Sequence, residues 1–494
     1  MEYVLGLDIS TTGAKAILVG NGKIIATHTT PQSVSSPFPL WSEQNPADWW
    51  TGTAESIRAV LAESGIDSAA IKAIGVTGQM HGLVMLDAAG RVLRPAILWN
   101  DQRTQKQCDE ITRAVGAAEI IRITGSRVLT GFTAPKILWV RENEPEVYAQ
   151  CAHILLPKDY IRYCLTGEHA IDVADASGTS LLDVGARKWS SHVTSALDIP
   201  TAWLPSVHEG TEITGTVHAQ GAAQTGLVIG TPVVAGGGDQ STAAIGMGLT
   251  APGLVSVTIG TSGVVFAPLE SYVYEKNGSV HAFCHAVPGL WHWMGVMLSA
   301  AGALQWYRDT LAADVPFDVL VTEAASAPAG SDGLLFLPYL TGERTPHPDP
   351  LARGAFVGLT ARHTRAHLTR SVLEGVAFGL NDSFTLMREG GVPLPDVARV
   401  AGGGARSPLW RQIIADVLGV PVEAAPTTEG SALGAAILAM VGAGWYGTVS
   451  AACEAFVGRG DITPTGTERA VYGEHYALYR ELYPALKGIY QRLG

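Results

Sequence analysis

VLGLDISTTGAK (Val4–Lys15) and LVSVTIGTSGVV (Leu254–Val265) are two readings of one pattern, an apolar strand, a hydroxyl-rich tight turn and a second strand. Ile9, Thr11 and Gly13 meet Ile259, Thr261 and Gly263, and Thr12 meets Ser262. The displacement is 250 residues in a chain of 494, about half its length. Self-similarity at that distance predicts two related α/β units facing each other. VVAGGGDQS (Val233–Ser241) and VAGGGARS (Val400–Ser407) read as a second repeated pair, each a strand end running through three glycines into a helix start. The expected boundary falls near Gly246–Gly253, giving units of 1–247 and 248–494.

Around the first hairpin the local signals agree. Tyr3–Ile9, Ala16–Val19 and Lys23–Thr30 read as strands. Asn21-Gly22 supplies the turn between the last two, because both central residues accept positive φ. Asn45 as N-cap with Pro46 at the first helical position starts a helix, and Ile71–Thr77 reads as the next strand. Ser407, Pro408 and Gly419 bracket a later helix in the same way. Trp49, Trp50 and Trp139 lie in helical patterns and are expected in the core. The polar, Tyr-rich segment from about Arg459 reads as a surface helix.

Composition narrows the class. Hydrophobic residues are 47% and charged residues 16%, which supports large buried cores and excludes an intrinsically disordered chain. The net charge of −12, with no basic run, lacks the footprint of a nucleic-acid binder or of a protein docking on anionic lipid. Five scattered cysteines without a C-x-x-C pair argue against a zinc site or disulfide framework and for a reducing, cytoplasmic setting. The N-terminus reads as a strand rather than a signal peptide. The uncharged stretches Gln240–Leu269 and Gly430–Cys453 are interrupted by Gly, Ser and Thr. They read as buried strands and close-packed helices rather than bilayer spans.

A nucleotide needs backbone N–H groups and hydroxyls curved around its phosphates, and the turns Ser10–Gly13 and Gly260–Gly263 can supply them. Taken singly, each reads as an ordinary surface turn rather than a phosphate site; the matched pair reverses that order. There is no G-x-x-x-x-G-K-[ST], and the glycine triplets do not complete G-x-G-x-x-G. Asp8 ends a buried strand, as a turn cap or as a carboxylate holding Mg²⁺ through water. Asp239 follows Gly236-Gly237-Gly238, as a helix N-cap or as the base that takes a proton from a hydroxyl attacking a γ-phosphoryl group. Glu343-Arg344 reads as a ligand contact or as a loop ion pair.

An ordered series of motifs extends these readings. After DISTTGAK come GQMHG (Gly78–Gly82), WNDQR (Trp99–Arg103), GFTAPKILWV (Gly131–Val140), LPKDY (Leu156–Tyr160), AGGGDQ (Ala235–Gln240) and IGTSGV (Ile259–Val264). LPYLTGERTPH (Leu337–His347), GAFVGL through HLTRSVLEG (Gly354–Gly375) and GGGARS (Gly402–Ser407) complete it. The series resembles the FGGY family of carbohydrate kinases over nearly the whole chain. The resemblance implies two duplicated actin/hexokinase-like (ribonuclease H-like) α/β domains with ATP and sugar in the cleft between them. It implies ATP-dependent phosphorylation of D-xylulose at O5, with ribulose or glycerol as alternative acceptors; an actin-like or chaperone-like ATPase is the reading from a different class. Asp239 would be the general base, and Asp8, with Asp239, the magnesium partner. Met80 and His81 would contact the sugar, and Trp99, Asn100, Asp101 and Arg103 would line its side of the cleft. Thr11, Thr12, Lys15, Gly260 and Thr261 would hold phosphates, with Gly403 and Gly404 beside the adenosine. Beyond sugar, ATP and Mg²⁺, the expected partners exclude nucleic acid and membrane and include at most a second copy of the chain. Ser10 departs from the glycine usual at its place, which would restrict the turn if its φ were positive.

Overall fold

A computed structural model describes residues 2–393, 395–427 and 429–493. Strands β1 (Tyr3–Ile9), β2 (Gly13–Gly20) and β3 (Lys23–Pro31) form an antiparallel meander, with Asn21 and Gly22 at φ 52° and 74° as the turn requires. Asn45 accepts the Ala47 N–H and opens the helix Pro46–Ser64. Strand β4 (Ile71–Gly78) then pairs parallel with β1. Further along, β5 (Ile213–Thr216) and β6 (Pro232–Val234) extend the sheet to the order β5-β6-β4-β1-β2-β3, and the short strand Gly237–Gly238 pairs with the end of β4 before the chain enters helix α1 (Asp239–Gly246).

The second half repeats the plan. Its strands are β7 (Val255–Ile259), β8 (Gly263–Leu269), β9 (His281–Cys284), β10 (Trp291–Met297), β11 (Ala398–Ala401) and β12 (Val422–Ala424), the last leading to helix α2 (Gly430–Gly442). With β13 (Ile462–Thr463) the order is β9-β10-β8-β7-β11-β12-β13. Strand senses correspond: β1/β2 and β7/β8 are antiparallel, β1/β4 and β7/β11 parallel. The α/β fold with two duplicated units is therefore observed.

Three expectations change. The glycine triplets are not equivalent: Gly236–Gly238 follows β6, the counterpart of β12, whereas Gly402–Gly404 follows β11, the counterpart of β4. Their likeness is local, a sharp exit from a strand end. The Tyr-rich segment forms a helix over Arg469–Leu493, and it is no mere surface helix, because Tyr472, Tyr479, Tyr483 and Tyr490 are buried in the second core. Trp49 and Trp139 are core residues, but Trp50 is half-buried and bonds Gln224.

Both uncharged stretches are explained by close packing. Helix α2, from the second half of the sequence, lies on the first sheet beside β1 and β4 and crosses α1. A Cβ on Gly75 would collide with the Ala435 carbonyl, and one on Gly434 with that of Thr242, so the backbones touch where glycine stands. Among the described residues no helix is long and apolar enough to cross a membrane, and the five cysteines are unpaired.

Candidate active site

Strand β1 delivers Asp8 to its C-terminal end, opposite Lys15 on β2. The following turn is closed by Ser10, whose N–H and Oγ both donate to the Gly13 carbonyl at 2.9 Å, while Oγ accepts the Gly13 N–H at 3.1 Å. Ser10 is not among the residues with positive φ, so its Cβ adds no strain and its hydroxyl closes the turn. Thr11 is held from three sides: its carbonyl accepts Gln44 Nε2 (2.8 Å), and its hydroxyl donates to Gln79 Oε1 and accepts Trp99 Nε1, both at 3.0 Å. Thr12 is exposed at the tip. Lys15 Nζ meets Glu429 Oε2 at 2.7 Å, directly ahead of α2.

The second turn is fixed differently. Gly260 N–H donates to the Ser262 carbonyl (3.0 Å), and the carbonyls of Gly260 and Thr261 take the N–H groups of Ala301 and Ala300, each at 2.8 Å. Thr261 thereby borders a cavity of about 600 Å³ with Gly302, Gln305, Phe317, Gly403 and Gly404. That volume lies in the range of small-molecule sites.

Asp239 is the first residue of α1, with Gly238 in the cap position, so its carboxylate is not consumed as the helix cap. Burial pushes its carboxyl up to about 7, and the charge of Asp8 adds to the rise. Burial likewise pushes Asp8 up to about 6, with Lys15 pulling it down and Glu429 raising it. Both side chains are deeply set yet keep some open surface, as on a cleft wall. Asp8 Oδ1 is buried without a hydrogen-bond partner. Among the described residues no group of three or more His, Cys, Asp or Glu side chains is arranged to hold a metal ion.

On the other side of Asp239, the loop after β4 places Met80 against Gly238. His81 has φ 69°, a strained conformation for a non-glycine residue. Its carbonyl accepts Lys136 Nζ (2.8 Å) and Thr133 Oγ1 (3.1 Å), and Lys136 also donates to the Gly131 carbonyl at 2.7 Å. The ring stacks on Phe132 with centroids 4.4 Å apart. Nδ1 lies 2.8 Å from the Gly178 carbonyl, which can only accept, so Nδ1 carries the proton. Burial lowers the imidazole to about 3; the ring is neutral and offers Nε2 as an acceptor.

Behind this loop, Lys158 is fully buried among Asp159 (2.5 Å), Asp172 (2.8 Å) and Asp175 (3.5 Å). Asp172 caps the short helix Val173–Ser177, which ends at the carbonyl gripping His81. The charge of Asp239 is one of those raising Asp175, although burial is the main cause.

The WNDQR segment divides. Trp99 and Asn100 are exposed, and Trp99 reaches over the first turn. Asp101 and Arg103 do not face the cleft as expected. Asp101 is fully buried, accepting the N–H groups of Ser42 and Arg103 and the Arg103 guanidinium. Arg103 also pairs with Glu43 at 2.7 Å and lies 3.5 Å over the Trp41 ring. Their donors and acceptors are spent on holding the loop. Nor do Glu343 and Arg344 form an ion pair; Glu343 Oε1 accepts the N–H groups of Leu298 (2.9 Å) and Arg344 (2.7 Å). Gln79 and Lys136, functional contacts that no single residue signal announces, stand inside the GQMHG and GFTAPKILWV motifs. Gln44 and Gln305 carried no comparable signal.

Comparison with known proteins agrees with this fold. Models of the N-terminal and C-terminal domains of the FGGY family of carbohydrate kinases match residues 3–246 and 255–443. The xylulose kinase of Escherichia coli K12 is 43% identical over 442 residues, covering 89% of this chain and 90% of that protein. That of Bacillus subtilis 168 is 38% identical over 491 residues, 99% of this chain and 98% of the relative. A crystal structure described as a xyloylose kinase from Brucella ovis superposes with a TM-score of 0.94 at 39% identity, covering 99% of this chain and all of the other.

Proposed function

The chain belongs to the FGGY family of carbohydrate kinases, and on that premise we propose that it transfers the γ-phosphoryl group of ATP to O5 of D-xylulose. The observation that carries this reading is that Asp8 and Asp239, from distant parts of the sequence, stand at the ends of strands that both pair with β4, close enough for the Asp8 charge to raise Asp239, with Met80 of the His81 loop against Gly238. Asp239 aligns the O5 hydroxyl and takes its proton as that oxygen attacks. A carboxyl held near 7 suits the task, because a base works best with its pKa close to the working pH. His81 Nε2 accepts a hydroxyl of the sugar, and its strained loop is held by Lys136. The turns at Thr11-Thr12 and Gly260-Thr261 face the phosphates, and the cavity bordered by Gly403 and Gly404 takes the adenosine.

Asp8 fits a magnesium partner, since its buried Oδ1 lacks a bond and magnesium keeps several waters beside phosphate rather than an all-protein cage. The ion would neutralise charge on the β- and γ-phosphates. The residues that grip Thr11 and His81 serve a sugar cleft rather than a bare ATPase. The units 1–247 and 248–494 and a cytoplasmic setting belong to the same reading. A panel of D-xylulose, D-ribulose and glycerol, read by coupled ADP release, tests it. The highest kcat/KM is expected for D-xylulose. A higher value for either other acceptor overturns the substrate, and ATP turnover that no sugar stimulates overturns the kinase reading.

A further inference from the structure

The loop 341–350 carries a cation that the site described so far leaves unused. Its backbone is fixed on both sides of Arg344. Before it, Glu343 Oε1 holds the Leu298 N–H. After it, the Thr345 N–H donates to the Val296 carbonyl (3.0 Å), and Thr345 Oγ1 donates to the Ser279 carbonyl (2.8 Å) while accepting the Val296 N–H (3.1 Å). These anchors lie at the end of β10, where Met297 pairs with Gly263 of the second phosphate turn. Arg344 is therefore mounted rigidly beside the cleft.

Its surroundings place it at the sugar end. His281 on β9 pairs with Met294 on β10, and its ring lies 5.7 Å from that of Phe132, on which His81 stacks. The charge of Arg344 acts on both imidazoles. Other buried cations are bonded: Arg94 and Arg103 to Glu43, Arg187 to Glu209, Arg370 to Glu374. Among the described residues the Arg344 guanidinium has no hydrogen bond or ion pair, although it is deeply set and only partly open to solvent. Setting a charge deep without partners is costly unless a ligand completes it.

We propose that Arg344 binds the carbonyl end of the acceptor sugar, donating to the C2 oxygen of a ketose, and so sets the preference for ketose over polyol. A guanidinium only donates, and of a pentulose's oxygens in the open-chain form only the carbonyl oxygen is purely an acceptor. Asp239 grips the opposite end, at O5. The inference rests on the functional reading above.

The test is steady-state kinetics of Arg344→Met and Arg344→Lys on D-xylulose and on xylitol, its carbonyl-reduced counterpart, with MgADP binding and circular dichroism on the same preparations. Loss of a charge-assisted hydrogen bond predicts a rise in the KM for D-xylulose of about 10- to 100-fold in Arg344→Met. Its kcat should move by less than about fivefold and MgADP affinity by less than about twofold, since Arg344 meets neither O5 nor nucleotide. Xylitol turnover should change little, so the ketose preference narrows. Arg344→Lys should recover part of the loss, and it carries the test should the methionine variant not fold. A KM for D-xylulose within about twofold of the parent in a folded variant, or equal losses on both sugars, overturns the inference. A parent enzyme that turns over some other acceptor but not D-xylulose instead overturns the substrate reading, and this inference with it.

Discussion

Asp239 ionises near 7 in the folded protein against 3.8 ordinarily, and two measurements follow from that difference. In its proposed role as base it must be deprotonated, so kcat/KM is expected to climb with pH through about 7. For stability the sign is opposite. A raised carboxyl favours the folded state while protonated; that contribution is full below about pH 4 and lost as pH rises through about 7. Asp239→Asn should therefore melt above the parent at pH 8, with the gap closing toward pH 4; a constant gap would refute the assignment. Lys136→Met removes both carbonyl contacts behind His81 and should raise the KM for sugar about tenfold with kcat less affected. Unchanged sugar kinetics would leave Lys136 a packing residue. Asp8, Asp239 and His81 stand out in the sequence because each ends or closely follows an apolar strand. Asp101 and Arg103 were misplaced because sequence spacing carries no depth: Arg103 sits under Trp41, far along the chain from anything that announces it.

The hairpins β1–β2 and β7–β8 were legible as a repeat because one backbone demand, a tight hydroxyl-bearing turn between buried strands, selects the same residues twice. The glycine triplets were paired wrongly for a related reason. A sharp exit from β6 and one from β11 need the same glycines, and strand order, which separates them, is written nowhere in the local sequence. The packing of α2 on the first sheet was equally hidden, although its glycine spacing was visible. Gly434→Val drives a side chain into the Thr242 carbonyl and should cost about 3 kcal/mol or more in urea unfolding. Gly473→Ala, in the C-terminal helix with open space around it, should be neutral or stabilise by up to about 1 kcal/mol. Equal effects would mean that α2 does not lie against α1 as described.

The two sheets share a topology, yet their strand ends now hold different things. The first presents Asp8, the Met80-His81 loop and, through α1, Asp239; the second presents Thr261, Gly403 and the cavity that they border. In the proposed reading the duplicated frame is divided between acceptor and donor, with α1 and α2 crossing where the halves meet. The division is tested most directly at Asp239, by measuring D-xylulose phosphorylation and MgADP affinity for the parent and for Asp239→Asn. A kcat lower by about 10²- to 10⁴-fold, with nucleotide affinity kept within about threefold, is the predicted result. Near-parental turnover by a folded Asp239→Asn would contradict it.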